Sequence, residues 1–414
     1  MTPRAPFVCR LSGAPLDHVF VDLGMSPLSN AYVRPEDEHR MEPFFPLTTY
    51  ISSQSLLVQL PMFERPEEIF KDYAYFSSYS DSWLKHAQRY VDMMIARFSL
   101  GATSSVVELA SNDGYLLQYF QQAGIPVLGV EPAANVAEVA VARGIPTDVA
   151  FFGVATATRL RARGIRPDVI AANNVLAHVP DLNDFIAGME HLLSPTGVIT
   201  VEFPHLACLM EGNQFDTIYH EHFSYFSFFT AQQAFAQNGL TVFDVERLST
   251  HGGSLRAFVR HSDSTAQPVR AAVLDMQEWE RSRGYHDLET YLGFAPKVEA
   301  TKRALLTFLI AAREAGKSVA AYGAAAKGNT LLNYCGVRRD FIDYVVDRNP
   351  HKQNVLLPGT RIPVFSPERL SETRPDYVLI LPWNIRDEIV AQLPEVRAWG
   401  GKFVVPIPEL TVLD

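Results

Sequence analysis

The chain has 414 residues, of which 47% are hydrophobic and 20% charged. That is the balance of a globular protein with room for two or three domains and more than one core. Its 36 basic and 46 acidic residues leave a formal net charge of −10, which argues against a nucleic-acid partner, whose binders carry a basic stripe, but not against an anionic small ligand in a local basic pocket. Three cysteines, Cys9, Cys208 and Cys335, widely separated, do not indicate a disulfide framework, and a reducing compartment fits. The N-terminus carries Arg4 and Arg10 without an apolar signal segment, and no run of 18 or more apolar residues suits a bilayer. A cytoplasmic protein without a membrane partner is expected.

Residues 1–70 are rich in Pro and in short alternating runs, "HVFVDLG" and "SLLVQLP", which predicts a small, mainly β N-terminal module. The segment "SDSWLKHAQRYVDMMIARFSL" follows with apolar residues at helical spacing after a Ser/Asp start. Then strands and helices alternate. "SSVVELA", "PVLGVEP", "PDVIAANNV" and "GVITVEFP" read as buried strands, and "YLLQYFQQAG" and "NVAEVAVARG" as helices between them. That alternation predicts a parallel, doubly wound sheet over the central domain, residues 71–250. A second α/β pattern fills residues 251–414: a long helix in "TYLGFAPKVEATKRALLTFLIAAREAG", a strand–loop–helix in "KSVAAYGAAAKGNTLLNYCG", and strands in "IDYVVDRNP" and "PDYVLILPWN".

The first strand–loop–helix of the central domain is "VVELASNDGYLL", turning at Asn112, Asp113 and Gly114, with Glu131 ending the next strand. An acid about 20 residues beyond such a turn can accept both ribose hydroxyls of a nucleoside. The turn has one glycine where a dinucleotide fingerprint has three, so a nucleoside without a phosphate here fits better, and S-adenosylmethionine is the common one. Glu108 would face the ligand's amino group. The rival reading is an ordinary turn with Glu131 solvated. "PDVIAANNVLAHVPDL" carries Asn173 and Asn174 at a strand's carboxyl end and His178 on the loop after it; ligands gather at such ends, though a lone histidine there is often structural.

Downstream, "DTIYHEHFSYFS" packs Tyr219, His220, Glu221 and His222 side by side. A metal site, an acid/base centre and a structural aromatic patch are all open to it. His220 and His222 lie two apart rather than at the i, i+4 spacing of a helical zinc pair, and no third ligand is evident nearby, so no metal is expected. In "AAYGAAAKGNTLL", Gly323 and Gly328 flank small residues and Lys327. Backbone N–H groups there could hold a diphosphate, or the turn could simply pack tightly. Trp383 and Asn384, in "LPWN", could form a platform for a base or sugar, or belong to the core.

Taken together, "DLGMSPLSNAYV", "YAYFSSYSDSWLKHA", "ELASNDGYLL", "NNVLAHVPD", "YHEHFSYFS", "HGGSLR", "YGAAAKGNTLLNYCG", "VVDRNPHKQN", "PGTRIPV" and "LPWN" resemble, nearly end to end, the nucleotide-sugar C-methyltransferases. The resemblance implies a class I methyltransferase (Rossmann-like) central domain and a second Rossmann-like, nucleotide-sugar-binding domain at the C-terminus. It implies methyl transfer from S-adenosylmethionine, leaving S-adenosylhomocysteine, to C3′ of a nucleotide-linked, typically dTDP-linked, 4-keto-6-deoxy sugar, as in deoxysugar biosynthesis. Carbon methylation needs a carbanion equivalent, and His222 is the expected base for making an enolate. Tyr219 and Glu221 are expected at the sugar or beside the imidazole. His178 is expected at the C4′ oxygen or in a proton relay. Donor binding falls to Glu108, Ala110, Asn112, Gly114, Tyr115, Leu116, Glu131, Pro132, Asn173 and Asn174. Tyr75 is a further catalytic candidate, and Tyr73, Tyr79, Lys327, Asn329, Thr330, Trp383 and Asn384 are the substrate-binding candidates.

In one respect the chain departs from this family, whose N-terminal module holds zinc with two C-x-x-C pairs. Here the positions read Cys9 and Ser12, then Ser52 and Ser55. Hydroxyls are poor zinc ligands beside thiolates, so no zinc is expected. A degenerate protein that only binds a nucleotide sugar, and an NAD-dependent nucleotide-sugar oxidoreductase or epimerase, are the alternatives. "YGAAAKGNT" lacks the G-x-G-x-x-G spacing that the last would need. A monomer or weak homo-oligomer is expected.

Overall fold

The computed structural model describes residues 7–65, 77–79 and 81–413. The chain divides into two compact units. The first comprises Met1–Leu16, Ser52–His205 and Phe223–His286, and the second Asp17–Ile51, Leu206–His222 and Asp287–Asp414. In chain order the second unit supplies β1 (His18–Ser26) and β2 (Phe45–Ile51). The first unit supplies β3 (Val58–Gln59), β4 (Val106–Leu109), β5 (Val127–Val130), β6 (Thr147–Asp148), β7 (Val169–Asn173), β8 (Val198–Pro204), β9 (Ser224–Tyr225), β10 (Leu240–Leu248) and β11 (Ser254–His261). The second unit then adds β12 (Val319–Tyr322), β13 (Val345–Val346), β14 (Val355–Leu356), β15 (Pro363–Phe365), β16 (Tyr377–Ile380), β17 (Lys402–Val405) and β18 (Thr411–Leu413).

The first unit is built on a seven-stranded sheet in the order β10-β11-β8-β7-β4-β5-β6. Strands β4 to β8 run parallel, while β10 and β11 are antiparallel. Every residue of β4 and β7 is buried, as expected of parallel strands covered by helices on both faces. This is the class I methyltransferase arrangement. Strand order reverses at β4, which lies between β5 and β7, and the carboxyl end of such a switch strand is where a ligand crevice opens. The helix Asp81–Phe98 presents Tyr90, Val91 and Met94 to the core shared with Val106, Phe120 and Phe258.

The second unit carries its own seven-stranded sheet, β14-β15-β13-β12-β16-β17-β18. Its five central strands are parallel and its two edges antiparallel, which is the second Rossmann-like sheet expected. The hairpin β1–β2 belongs to this unit. Phe20 of β1 stacks on Phe294 at 4.9 Å, and Val33 bridges to Leu356.

Two sequence expectations change in detail. "SLLVQLP" yields only the two-residue strand β3, because Leu56 adopts a left-handed φ of 56° and Pro61 cannot donate to a ladder. β7 stops at Asn173, because Asn174 turns left-handed at φ 55°. Among the described residues no helix is long and apolar enough to cross a membrane.

Candidate active site

In the first unit, the chain leaves β4 through a tight turn in which Ala110, Asn112 and Gly114 have φ of 54°, 50° and 78°. Glycine is needed at 114: besides its left-handed φ, a Cβ there would lie 2.9 Å from Ile145 Cγ1. Glu131, the first residue past β5, clamps this turn. Its two carboxylate oxygens accept the backbone N–H of Asn112 and of Ala133, both at 2.9 Å. Burial pushes its pKa up, against the pull of those two N–H groups.

Glu108, within β4, is fully buried, and its Oε2 has no hydrogen-bond partner. Its carboxyl is held well above the usual range by burial and by the neighbouring charge of Glu131, against a hydrogen bond from Tyr115. Asp113 Oδ1, Asn173 Oδ1 and both amide atoms of Asn174 are likewise buried without partners. These orphaned acceptors and donors cluster at the carboxyl ends of β4 and β7. Buried polar groups are nearly always satisfied, so this edge fits a ligand that brings an ammonium group and hydroxyls, as S-adenosylmethionine does.

Not every expected donor residue can touch a ligand. Leu116 is fully buried in the core with Phe120 and Val106, and so anchors the turn instead. Asn112 and Asp113 also hold the short turn Ser77–Tyr79. Ser77 N–H donates to Asn112 Oδ1 at 2.9 Å, and Ser78 Oγ and Arg143 both donate to Asp113 Oδ2. Pro132 lies half-buried beside Glu131. His178 ends the turn Leu176–His178 just after β7 and is half-buried. Tyr73 and Tyr75 lie outside the described residues; of Tyr79 the backbone alone is described.

In the second unit, the segment Asp216–His222 separates into distinct roles. His222 Nδ1 lies 2.9 Å from the carbonyl oxygen of Thr217, and Tyr219 packs its ring on the imidazole at 4.1 Å between centroids. His220 points elsewhere: its Nε2 lies 3.2 Å from the Pro46 carbonyl, its ring meets Phe45 edge-on, and burial lowers its pKa. These contacts tie it to β2 rather than to His222. Glu221 is buried and accepts from Asn30 Nδ2 at 2.6 Å. Burial pushes its pKa up to about 7, against the pull of Asn30 and of the Lys352 charge. Lys352 in turn donates to the Ala324 carbonyl at 3.1 Å, which the Tyr32 hydroxyl also engages.

A second group in this unit gathers Lys327, Trp383 and Asn384 around Asp216. Trp383 Nε1–H donates to Asp216 Oδ2 at 2.8 Å, Lys327 Nζ donates to Asn384 Oδ1 at 2.8 Å, and the ammonium sits 4.7 Å from the Trp383 ring centroid. Asp216 is fully buried; burial lifts its pKa to about 6, against the Lys327 charge and the indole N–H. Three expected substrate residues are thus brought together. Asn329 and Thr330 are not with them. Both are about 1% exposed; Asn329 donates to the Ser29 carbonyl and Thr330 to that of Ile218. They brace the helix Ala326–Cys335 and the segment before Tyr219, and act as positioning residues.

Asp216, Asn30 and Lys352 escaped the sequence reading. Asp216 stands in the motif already singled out. Asn30 and Lys352 stand in the quoted stretches "DLGMSPLSNAYV" and "VVDRNPHKQN", but only the fold brings them to Glu221.

In the N-terminal region of the first unit, Cys9, Ser12 and Ser55, three of the four positions where the resemblance places metal ligands, come together. Cys9 Sγ lies 3.2 Å from Ser55 Oγ. Hydrogen bonds from Ser12, Ser55 and Gln59 pull the thiol pKa down, against burial, which is the larger single effect but is outweighed by their sum. Ser52 is buried and Leu56 N–H bonds its carbonyl at 2.8 Å. One thiol among hydroxyls does not fit a structural zinc, which takes four sulfur or imidazole ligands. Among the described residues no group of three or more His, Cys, Asp or Glu side chains assembles that could hold a metal ion.

Family models match three stretches of the chain, each of which draws on both units. A family model described as "C-methyltransferase C-terminal domain" matches residues 249–408, one described as "Methyltransferase domain" matches 83–245, and one described as "Putative zinc binding domain" matches 9–70. The C-methyltransferase NovU of Streptomyces niveus is 37% identical over 406 residues, covering 98% of this chain and 96% of that protein. Among solved structures, an S-adenosylmethionine-dependent methyltransferase from Mesorhizobium loti matches at 15% identity and a TM-score of 0.34, covering 43% of this chain and 100% of its own. The magnesium protoporphyrin IX methyltransferase of Synechocystis PCC 6803 with bound S-adenosylhomocysteine matches at 16% identity and 0.34, covering 43% and 83%.

Proposed function

Because the chain belongs to the S-adenosylmethionine-dependent C-methyltransferases, we propose that its acceptor is a nucleotide-linked 4-keto-6-deoxy sugar, typically dTDP-linked, methylated at C3′. The observation that carries this reading is the state of His222. An imidazole nitrogen facing a carbonyl oxygen can only donate to it, so Nδ1 carries a proton, and in the neutral ring Nε2 holds the lone pair of a general base. Tyr219, packed on the ring at a tilt of 32°, keeps the imidazole from rotating out of that orientation.

When bound, the donor supplies an electrophilic methyl group on a sulfonium. Nε2 of His222 takes the proton from the sugar carbon beside the ketone, whose acidity the carbonyl provides. The electron pair left on that carbon forms the new C–C bond as the C–S bond breaks, and S-adenosylhomocysteine leaves with the sulfur pair. A base in its neutral form adds no repulsion to a cationic donor. Glu221, poised to be partly protonated near neutral pH, can present an O–H to a sugar oxygen. In the first unit Glu108, whose buried Oε2 has no partner, would hold the donor's ammonium, and Glu131, at the end of β5, its ribose through the remaining lone pairs of its carboxylate. Family membership favours methyl transfer over hydride transfer to or from NAD, and the retention of His222, Glu221, Glu131 and Lys327 favours an enzyme over a binding-only relative.

The deciding experiment incubates the protein with S-adenosylmethionine and a panel of nucleotide-linked 4-keto-6-deoxy sugars. A product 14 daltons heavier, with stoichiometric S-adenosylhomocysteine and the new methyl at C3′ by NMR, is the expected result. Absence of product across dTDP-, GDP- and CDP-linked members would overturn the sugar assignment.

A further inference from the structure

The C-terminal sheet repeats the device that marks the donor edge of the first. Asp347 is the first residue after β13, as Glu131 is after β5. Its carboxylate accepts the N–H of Ala324, in the loop after β12, at 2.7 Å, and the N–H of Asn349, two residues on, at 2.8 Å. Glu131 makes the same pair of bonds to the loop after β4 and to the residue two positions beyond itself. In both sheets the switch strand is flanked by the acid-bearing strand on one side. The common order places a ligand edge at the carboxyl ends of β12, β13 and β15.

An open cleft of about 640 Å³ lies there. Tyr322 closes β12, Arg348 and Gln353 follow β13, Ser366 follows β15, and Gln392 and Glu395 form the far wall. Arg348 Nη1 donates to Gln392 Oε1 at 3.0 Å and Gln353 Nε2 to the Asp347 carbonyl at 2.8 Å, so the polar groups are already oriented. The volume lies within the range of small-molecule sites. Its chemistry is mixed: one guanidinium, two amides, two serine hydroxyls, a phenol and two carboxylates. Glu368 and Glu395 disfavour a phosphate within the cleft but suit sugar hydroxyls, while the amides and Arg348 match the carbonyl and N–H edge of a base.

Resting on the nucleotide-sugar reading above, we infer that this cleft receives the nucleoside of the acceptor, with Tyr322, Arg348, Gln353 and Gln392 reading its base and Glu395 its pentose. The residues singled out from sequence, Lys327 in the helix Ala326–Cys335 and Trp383 in the turn after β16, do not line the cleft and are left for the remainder of the substrate.

The test uses the full chain and two variants. Ser371 is an exposed lining residue, so Ser371→Trp fills the cleft without disturbing the core; Arg348→Ala removes the guanidinium. Calorimetric titration with dTDP, UDP, GDP and CDP is expected to show at least one ligand binding wild type, weakened ten-fold or more by either change. S-adenosylmethionine affinity, set in the other unit, stays within two-fold. KM for the nucleotide sugar rises while kcat holds. If wild type methylates nucleotide sugars and both variants bind and turn over unchanged, the cleft assignment is overturned and the function stands. If nucleotides bind through the cleft but no keto sugar is methylated, the function reading falls and the cleft stands. Absence of any nucleotide binding to wild type overturns both.

Discussion

His222 Nδ1 and the carbonyl oxygen of Thr217 lie 2.9 Å apart, and this contact fixes which imidazole nitrogen can accept a proton. His222→Ala should therefore lower kcat by about 10²–10⁴-fold, the usual worth of a positioned general base. S-adenosylmethionine affinity should stay near wild type, because the donor residues belong to the other unit. His222→Asn keeps the donor to Thr217 but offers no basic nitrogen, and should be equally slow. A variant that retains most of its rate would remove His222 from the role of base.

Glu221 and Asp216 make stability fall as pH rises. Their folded pKa values, about 7 and about 6, lie above the unfolded carboxyl values, so the native state binds the proton more tightly. The associated stability is fully present below the unfolded values near 4 and is lost as pH climbs through 6 to 7. Each group contributes at most about 3 kcal/mol to this loss. Glu221→Gln keeps an acceptor for Asn30 but cannot ionise. Urea midpoints measured at pH 5 and pH 8 should show a smaller drop for this variant than for wild type. An identical drop in both would mean that Glu221 titrates normally in the native protein.

Glu280 stabilises a helix far from it in sequence. It is fully buried and accepts from Phe228 N–H at 2.6 Å, Phe229 N–H at 2.8 Å and His205 Nε2 at 2.7 Å, so it caps the helix Phe228–Gln237 alongside Ser227. Glu280→Ala strands two backbone donors and an imidazole in the interior. A loss of about 2–4 kcal/mol in chemical denaturation is expected. Glu280→Gln, which still accepts through one oxygen, should lose less. Equal stability of all three proteins would show the cap to be energetically idle.

Local pattern made the two sheets legible in sequence. β4 and β7 announce themselves as short buried runs, and the turn at Asn112–Gly114 as a glycine break after a strand. The same reasoning located Glu131 and His222, because each stands at a point where the chain must leave an element or carries a side chain with distinctive chemistry. It misjudged Asn329 and Thr330, since polar residues after a glycine loop look alike whether they face a ligand or, as here, bond Ser29 and Ile218. It missed Asn30 and Lys352, whose role depends on long-range packing around Glu221. The N-terminal segment divides between the two units, a partition that no composition shift near Ser52 foreshadows.

The hydroxyls around Cys9 give the last prediction. Ser12, Ser52 and Ser55 stand where ligands belong in this module type, and Cys9 and Ser55 are already in contact at 3.2 Å. Cys9 thus keeps neighbours at two of those positions, Ser12 and Ser55, but with hydroxyls in place of thiols. Wild-type protein should hold no stoichiometric zinc by elemental analysis. The triple variant Ser12→Cys, Ser52→Cys and Ser55→Cys should bind one zinc ion per chain, and its cobalt form should show the intense thiolate-to-metal absorption of a tetrahedral four-sulfur site. Because metal binding couples to folding, the loaded variant should melt at a higher temperature than wild type, and a chelator should reverse the gain. One zinc per wild-type chain would show that other groups complete a site around Cys9. A triple variant that binds none would show that the four positions do not converge tetrahedrally.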